Sequence, residues 1–290
     1  MNKLPLIMDG AMGTELMDRG LKMPLPLWSA DTNITHPEVV KAVHIDYVNA
    51  GADIICTNTF RTTTWTYRKV GLSHKASQSR ARSSLMKAVD LARESNPNIL
   101  AASLTSIEDC YEPSLYPGRS IAEDTYGENI NWFLEAGVDV LLFETMGHIE
   151  EIEIALETVK NLDYKIWLSL VMKDKDHILS GHKIKDVFKI AMQDIDCLML
   201  NCNTILRTNE ALELIKNNCS NSWGVYPNLG LSEPEPDGEI EEKVKEADFK
   251  KTISDYLSMK PKIIGSCCGS SPIHINMIRK MIDNFFYQID

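Results

Sequence analysis

The chain has 290 residues, 44% hydrophobic and 24% charged, enough for a sizeable core and compatible with one domain spanning 1–290. A net charge of −11 argues against a nucleic-acid or anionic-membrane surface, and seven cysteines, odd in number and widely spread, argue against a secreted disulfide framework. No signal-peptide core opens the chain and no apolar stretch approaches the roughly 20 residues that span a bilayer, so a cytoplasmic protein with no membrane or nucleic-acid partner is expected.

Short apolar runs alternate with longer amphipathic stretches along the chain. LPLIM (4–8) is followed by HPEVVKAVHIDYVNAG (36–51), which has a proline suited to a first helical turn and a glycine at its end. ADIICT (52–57) precedes the amphipathic SHKASQSRARSSLMKAVDLARES (73–95), and ILAASL (99–104) precedes SIAEDTYGENINWFLEAG (120–137). VDVLLFE (138–144), KIWLSLVM (165–172), CLMLNC (197–202), WGVYP (223–227) and KIIGSC (262–267) then alternate with IEEIEIALETVKNL, KIKDVFKIAMQ, RTNEALELIKNN, EADFKKTISDYLSM and SPIHINMIRKMIDNFF. The runs are rich in Ile, Val and Leu and do not alternate in polarity, as strands buried on both faces read. Eight near-even strand–helix rounds without a linker predict an α/β fold, a single-domain (β/α)8 TIM barrel, over the rival doubly wound open sheet.

Function in such a barrel sits at the C-terminal strand ends. The unusual residues fall there: Asp9 and Gly10 after the first run, Asn58 and Thr59 after the second, and Glu144 at the end of the fourth. Asn201, Cys202 and Asn203 end the sixth run, Tyr226, Pro227 and Asn228 the seventh, Cys267 and Cys268 the eighth. Free cysteine is commonly a small buried hydrophobe, which is the reading for Cys56, Cys110, Cys197 and Cys219. Cys202, Cys267 and Cys268 instead share one rim among glycines and asparagines. Three thiolates suit Zn2+ with one position left open, the pattern of a catalytic site. Zinc deprotonates a thiol near neutral pH, and the formal charge of −1 on a tris-thiolate site preserves electron density on a bound substrate sulfur. That is chemistry for alkyl transfer to sulfur.

MDGAMGTEL (8–16), PLWSA (26–30), HPEVVKAVHIDYVNAGADIICTNTF (36–60), AGVDVLLFETM (136–146), LNCN (200–203), VYPNLG (225–230) and IIGSCCGSSPIHI (263–275) together resemble the zinc-dependent homocysteine S-methyltransferase family. The resemblance covers nearly the whole chain with its motifs in order. It implies zinc held by Cys202, Cys267 and Cys268, homocysteine thiolate as fourth ligand, and methionine as product. It also implies that Asp9 and Gly10, with the AMGTE segment that contains Thr14, form the homocysteine-binding turn, and that Glu144 holds the substrate ammonium. Elementary chemistry agrees, since a glycine turn can present N–H groups to a carboxylate and a buried glutamate can bond an ammonium. Glu144 and Asp9 are the expected catalytic residues; Asp9, Gly10, Thr14, Trp28, Glu144 and Asn228 are the expected substrate-binding ones.

Relatives differ in methyl donor. The chain ends soon after the eighth helix, leaving no room for cobalamin or folate modules or for the C-terminal extension of betaine enzymes, so S-methylmethionine or S-adenosylmethionine is the expected small-molecule donor. SLTSIEDCYEPSLYPG (103–118) replaces the GPYG-type segment of many relatives, with no assigned role. Trp28 offers either an aromatic face to a sulfonium or a plain apolar wall. The acidic loop 229–248 reads as solvated, or as a lid. The seven histidines show no metal spacing, and GSCCGSS lacks a P-loop's lysine. The rival readings are a subunit served by a separate corrinoid protein or acting on another thiol, a non-catalytic zinc barrel, and a homocysteine sensor. A homo-oligomer is compatible with all of them.

Overall fold

Eight parallel strands form the sheet that the apolar runs predict. A computed structural model describes residues 4–234, 238 and 240–287. The strands are β1 (Leu6–Ile7), β2 (Ile54–Cys56), β3 (Ile99–Thr105), β4 (Val140–Met146), β5 (Lys165–Leu170), β6 (Cys197–Asn201), β7 (Ser222–Tyr226) and β8 (Ile263–Ile264). They pair in the order β1-β8-β7-β6-β5-β4-β3-β2. The ends of that series meet: Met8 bridges Ile54 in parallel, Asp53 N donates to Ile7 O at 2.8 Å and Asp9 N to Ile54 O at 3.0 Å. The sheet is therefore a barrel, and the open-sheet alternative is excluded.

The expected helices are all present, as α3 (Pro37–Ala50), α5 (His74–Arg93), α6 (Arg119–Ala136), α7 (Ile149–Val159), α8 (Ile184–Ala191), α9 (Ile205–Asn218), α10 (Glu246–Ser258) and α11 (Pro272–Tyr287). Gly51 ends α3 in the left-handed conformation at φ 103°, where its N–H caps Val48 O. Three short helices lie within the first two β–α connections: α1 (Met12–Asp18), α2 (Thr32–Thr35) and α4 (Thr64–Arg68). The reading above assigned no helix there, because segments this short carry no full apolar period. The first and last strands are also shorter than LPLIM and KIIGSC suggested. Pro5 has no N–H to give a ladder, and after Ile264 the chain turns its hydrogen bonds toward the β7 loop.

The core has two layers. Inside the barrel, Met8, Ile54, Ala101, Leu142, Trp167, Met199 and Ile263 pack together. The outward strand residues, such as Ile55, Leu141, Leu168 and Val225, join the apolar faces of the surrounding helices. Filling the interior this way leaves room for a ligand only above the last layer, at the C-terminal rim. Among the described residues, no helix is long and apolar enough to cross a membrane.

His44 in α3 is fully buried and neither ring nitrogen has a partner. Desolvation pushes its pKa down to about 3. Above about pH 6.5 the ring is neutral in both folded and unfolded chains. Below that, only the unfolded chain takes up the proton, so stability falls by ~1.4 kcal/mol per pH unit toward pH 3. His44→Leu is expected to flatten this slope: urea midpoints at pH 7 and pH 5 should differ less in the variant than in the parent protein. Equal slopes would contradict the account.

Candidate active site

Strand parity decides which side chains look into the barrel. Val140 and Leu142 belong to the interior layer, so Glu144, two residues on in β4, faces the same way. Ser103 follows Ala101 in β3 by the same rule, and Tyr226 comes up from β7. Ser103 Oγ donates to Glu144 Oε1 at 2.5 Å and Tyr226 OH to Glu144 Oε2 at 3.2 Å. Asp9, just past β1, accepts a hydrogen bond at Oδ2 from Cys56 N at 2.9 Å. These two carboxyls sit at the floor of a cavity of about 400 Å³ on the C-terminal rim.

Cys202, Cys267 and Cys268 line the same cavity. Cys202 Sγ lies 2.7 Å from Cys267 Sγ and 3.3 Å from Cys268 Sγ. Apolar heavy atoms in a core rest about 3.5–4.0 Å apart, so these sulfurs are crowded beyond ordinary packing. The loop after β7 laces them together: Leu229 N donates to Cys268 O at 2.9 Å, Cys267 N to Pro227 O at 2.7 Å, and Asn228 Nδ2 to Cys202 O at 3.1 Å. Cys202 has φ 53°. Thr145 (φ 54°) and Trp28 (φ 51°) also line the cavity, so strained non-glycine backbone gathers at the site, as it does where function over-determines geometry.

Hydrogen bonds from Cys267 and Cys268 hold the Cys202 thiol well below the ordinary range, and the same contacts push the other two up. Ionisation is thus favoured at Cys202 and opposed at Cys267 and Cys268, and a cation beside the last two would offset that opposition. In a tetrahedral zinc–thiolate site with Zn–S near 2.3 Å, sulfurs stand about 3.8 Å apart. All three sulfurs already lie within 4.8 Å of one another, so side-chain rotations of about 1 Å open a site of that size. Soft donors, enclosure and count all fit zinc. A second cluster, Asp174, Asp176 and His177, is partly exposed and away from the cavity.

Of the nine expected site residues, eight line the cavity: Asp9, Gly10, Thr14, Trp28, Glu144, Cys202, Cys267 and Cys268. Asn228 is fully buried behind it, where it holds Cys202 O and accepts from Gly230 N at 2.8 Å. At Gly10 a Cβ would meet Tyr47 Cε1 at 2.6 Å, so only glycine lets the turn approach α3 this closely. Thr14 Oγ1 accepts from Gly269 N at 3.2 Å, tying the first turn to the cysteine loop. Glu233, Pro234 and Gly238 of the acidic loop line the cavity mouth; residues 235–237 and 239 lie outside the described residues.

Sequence reasoning missed the 103–118 segment's part. Tyr111 OH donates to Cys202 O at 3.0 Å, and Asp109, Cys110 and Glu112 line the cavity. It also missed Phe60 and Arg61 after β2. Nothing in the local pattern announces a tyrosine that meets a cysteine 91 residues away.

The family model for homocysteine S-methyltransferase matches residues 6–282. The chain belongs to the homocysteine S-methyltransferase family. It is 29% identical to homocysteine S-methyltransferase 2 of Arabidopsis thaliana, over 96% of this chain and 93% of that one. It is 30% identical to selenocysteine Se-methyltransferase of Brassica oleracea var. italica, over 95% and 88%. The metallated form of the Escherichia coli homocysteine methyltransferase superposes with a TM-score of 0.82 at 24% identity, covering 96% of each chain, and shows the same fold. The membership accords with the enclosed chemistry of the rim.

Burial dominates that chemistry. Desolvation raises Asp9 to about 8, with nearby Glu144 adding to the rise, and raises Glu144 to about 7 against the hydrogen bonds from Ser103 and Tyr226. For Glu144, the folded chain holds a proton that the unfolded chain releases near pH 4.3, so stability is lost as pH climbs from there to about 7 and no further above it. Glu144→Gln keeps the shape and removes the titration. In thermal or urea unfolding it should match the parent near pH 4.5 and be more stable by on the order of 1–3 kcal/mol at pH 8. A loss that is equal at both pH values would contradict the assignment.

Proposed function

We propose that this chain transfers a methyl group from a small-molecule donor to the sulfur of homocysteine, giving methionine. The observation that carries the reading is the convergence of three thiols and two enclosed carboxyls, Asp9 and Glu144, on a single cavity. Cys202, Cys267 and Cys268 hold a zinc ion, which when bound supplies the Lewis acidity that ionises a thiol near neutral pH.

The chain's own side chains position the substrates. Glu144, fixed by Ser103 and Tyr226, receives the homocysteine ammonium; the arriving positive charge makes the carboxylate, not the carboxylic acid, the stable form. The turn at Asp9 and Gly10 holds the amino-acid end of homocysteine. Asp9 is itself braced by Cys56 N, and Ser270 Oγ accepts from Ala11 N at 3.1 Å. Thr14 and Asn228 keep the cysteine-bearing loops in register with that turn.

A sulfonium is the expected donor, S-methylmethionine or S-adenosylmethionine. Its methyl passes to the homocysteine sulfur as the C–S bond to the donor breaks, and the donor leaves as a neutral thioether. Opposite charges cancel in that step, so a cavity that excludes water favours it. Trp28 forms one wall and offers its ring to the sulfonium. The whole chain is read as one catalytic domain in the cytoplasm.

The test is methionine formation by zinc-loaded protein from homocysteine, with S-methylmethionine, S-adenosylmethionine and betaine assayed in parallel and selenocysteine as an alternative acceptor. One donor should give zinc-dependent methionine, and Cys268→Ala should abolish it. Methionine unaffected by that substitution would refute the metal assignment; none from any donor would favour a corrinoid-partnered subunit. Glu144→Ala should raise the homocysteine KM by roughly 10- to 100-fold, as expected for a lost charged hydrogen bond, with zinc content unchanged. Zinc lost in step with activity would show that Glu144 serves the metal instead.

A further inference from the structure

Arg61 is the one cation among the described residues that line the cavity, against five carboxyls: Asp9, Asp109, Glu112, Glu144 and Glu233. Its side chain is 11% exposed and its guanidinium stands 5.8 Å from the Phe60 ring centroid. Nε is buried with no hydrogen-bond partner. The nearest carboxylate, Asp109 Oδ2, is 3.6 Å from Nη2, beyond hydrogen-bond range and well beyond the roughly 2.7–2.9 Å of a charge-assisted bond. A buried guanidinium with an unused edge at a ligand cavity asks for an acceptor that the chain does not supply.

The geometry points to Arg61 as the anchor for the carboxylate of the methyl donor, making this enzyme selective for donors that bear one. The planar guanidinium fork matches a carboxylate through two parallel N–H···O bonds. The homocysteine contacts proposed above come from β1 and β4 and the metal ligands from β6 and β8, so the amino-acid end of homocysteine is already accounted for. Arg61 follows β2 and its partner Asp109 follows β3, the two strands between β1 and β4 in barrel order, and neither residue is among the homocysteine or metal contacts proposed above. The 103–118 segment thereby gains a role: Asp109 orients the guanidinium loosely enough for a ligand carboxylate to take over.

This inference rests on the methyl-transfer reading, and its test separates the two. Donor and homocysteine KM are measured for the parent protein, Arg61→Gln and Arg61→Lys. The donors are S-methylmethionine and (3-aminopropyl)dimethylsulfonium, the same sulfonium without its carboxylate. Arg61→Gln should raise the S-methylmethionine KM on the order of 10- to 100-fold, leave the homocysteine KM within about twofold, and leave the decarboxylated donor unaffected. Arg61→Lys, with the charge but not the fork, should fall between. The parent protein should itself disfavour the decarboxylated donor by a similar factor, a result that needs no variant to fold. An unchanged donor KM, or a shift confined to homocysteine, would overturn the proposal while leaving methyl transfer intact. If the parent protein makes no methionine, the function proposed above fails, and calorimetric titration of S-methylmethionine into parent and Arg61→Gln proteins replaces KM: weaker binding to the variant supports the anchor, and no difference overturns it.

Discussion

Two sulfurs held against a third, Cys202, closer than neutral side chains pack are the constraint on which the site depends. One of them ionises easily because its neighbours donate to it, but that leaves two thiols whose ionisation is opposed by the charge already present. A cation among the three sulfurs would let all of them ionise. The barrel fixes the conflict in place: β6 and β8 flank β7, and the β7 loop stitches their ends together through Pro227, Asn228 and Leu229. Left-handed backbone at Cys202 is part of the same arrangement, since it turns a sulfur inward at the point where an ordinary strand would continue.

The two enclosed carboxyls of the same cavity present a complementary problem. Glu144 and Asp9 are both raised by burial, so the free site carries less negative charge than its composition suggests. On the function proposed above, an ammonium entering beside Glu144 would pair with a carboxylate that the empty cavity disfavours, linking substrate binding to a change of protonation. On that reading, metal and ammonium would each supply positive charge to a pocket whose only lining cation among the described residues is Arg61.

Much of this was legible in the sequence because it rests on period and position. Doubly buried strands read as plain apolar runs, and the barrel rule carried Cys202, Cys267, Cys268 and Glu144 to one rim before any coordinates. What was not legible depends on long-range partners. Asn228 stands at a strand end like its neighbours, yet its amide turns inward to Cys202 O, which sequence position alone does not distinguish from facing a ligand. Tyr111, Phe60 and Arg61 lie in irregular connections, where neither a 2.0 nor a 3.6 period says which way a side chain points. The short helices α1, α2 and α4 escaped for the same reason.

The central claim is that Cys202, Cys267 and Cys268 together hold one zinc ion with a position left for the substrate sulfur. X-ray absorption at the zinc edge of the purified protein, with and without homocysteine, tests it most directly. The account predicts one zinc per chain with three sulfur neighbours near 2.3 Å, rising to four on adding homocysteine, and loss of that signature in Cys202→Ser. Four sulfur neighbours before homocysteine is added, or a sulfur count that homocysteine leaves unchanged, would contradict it.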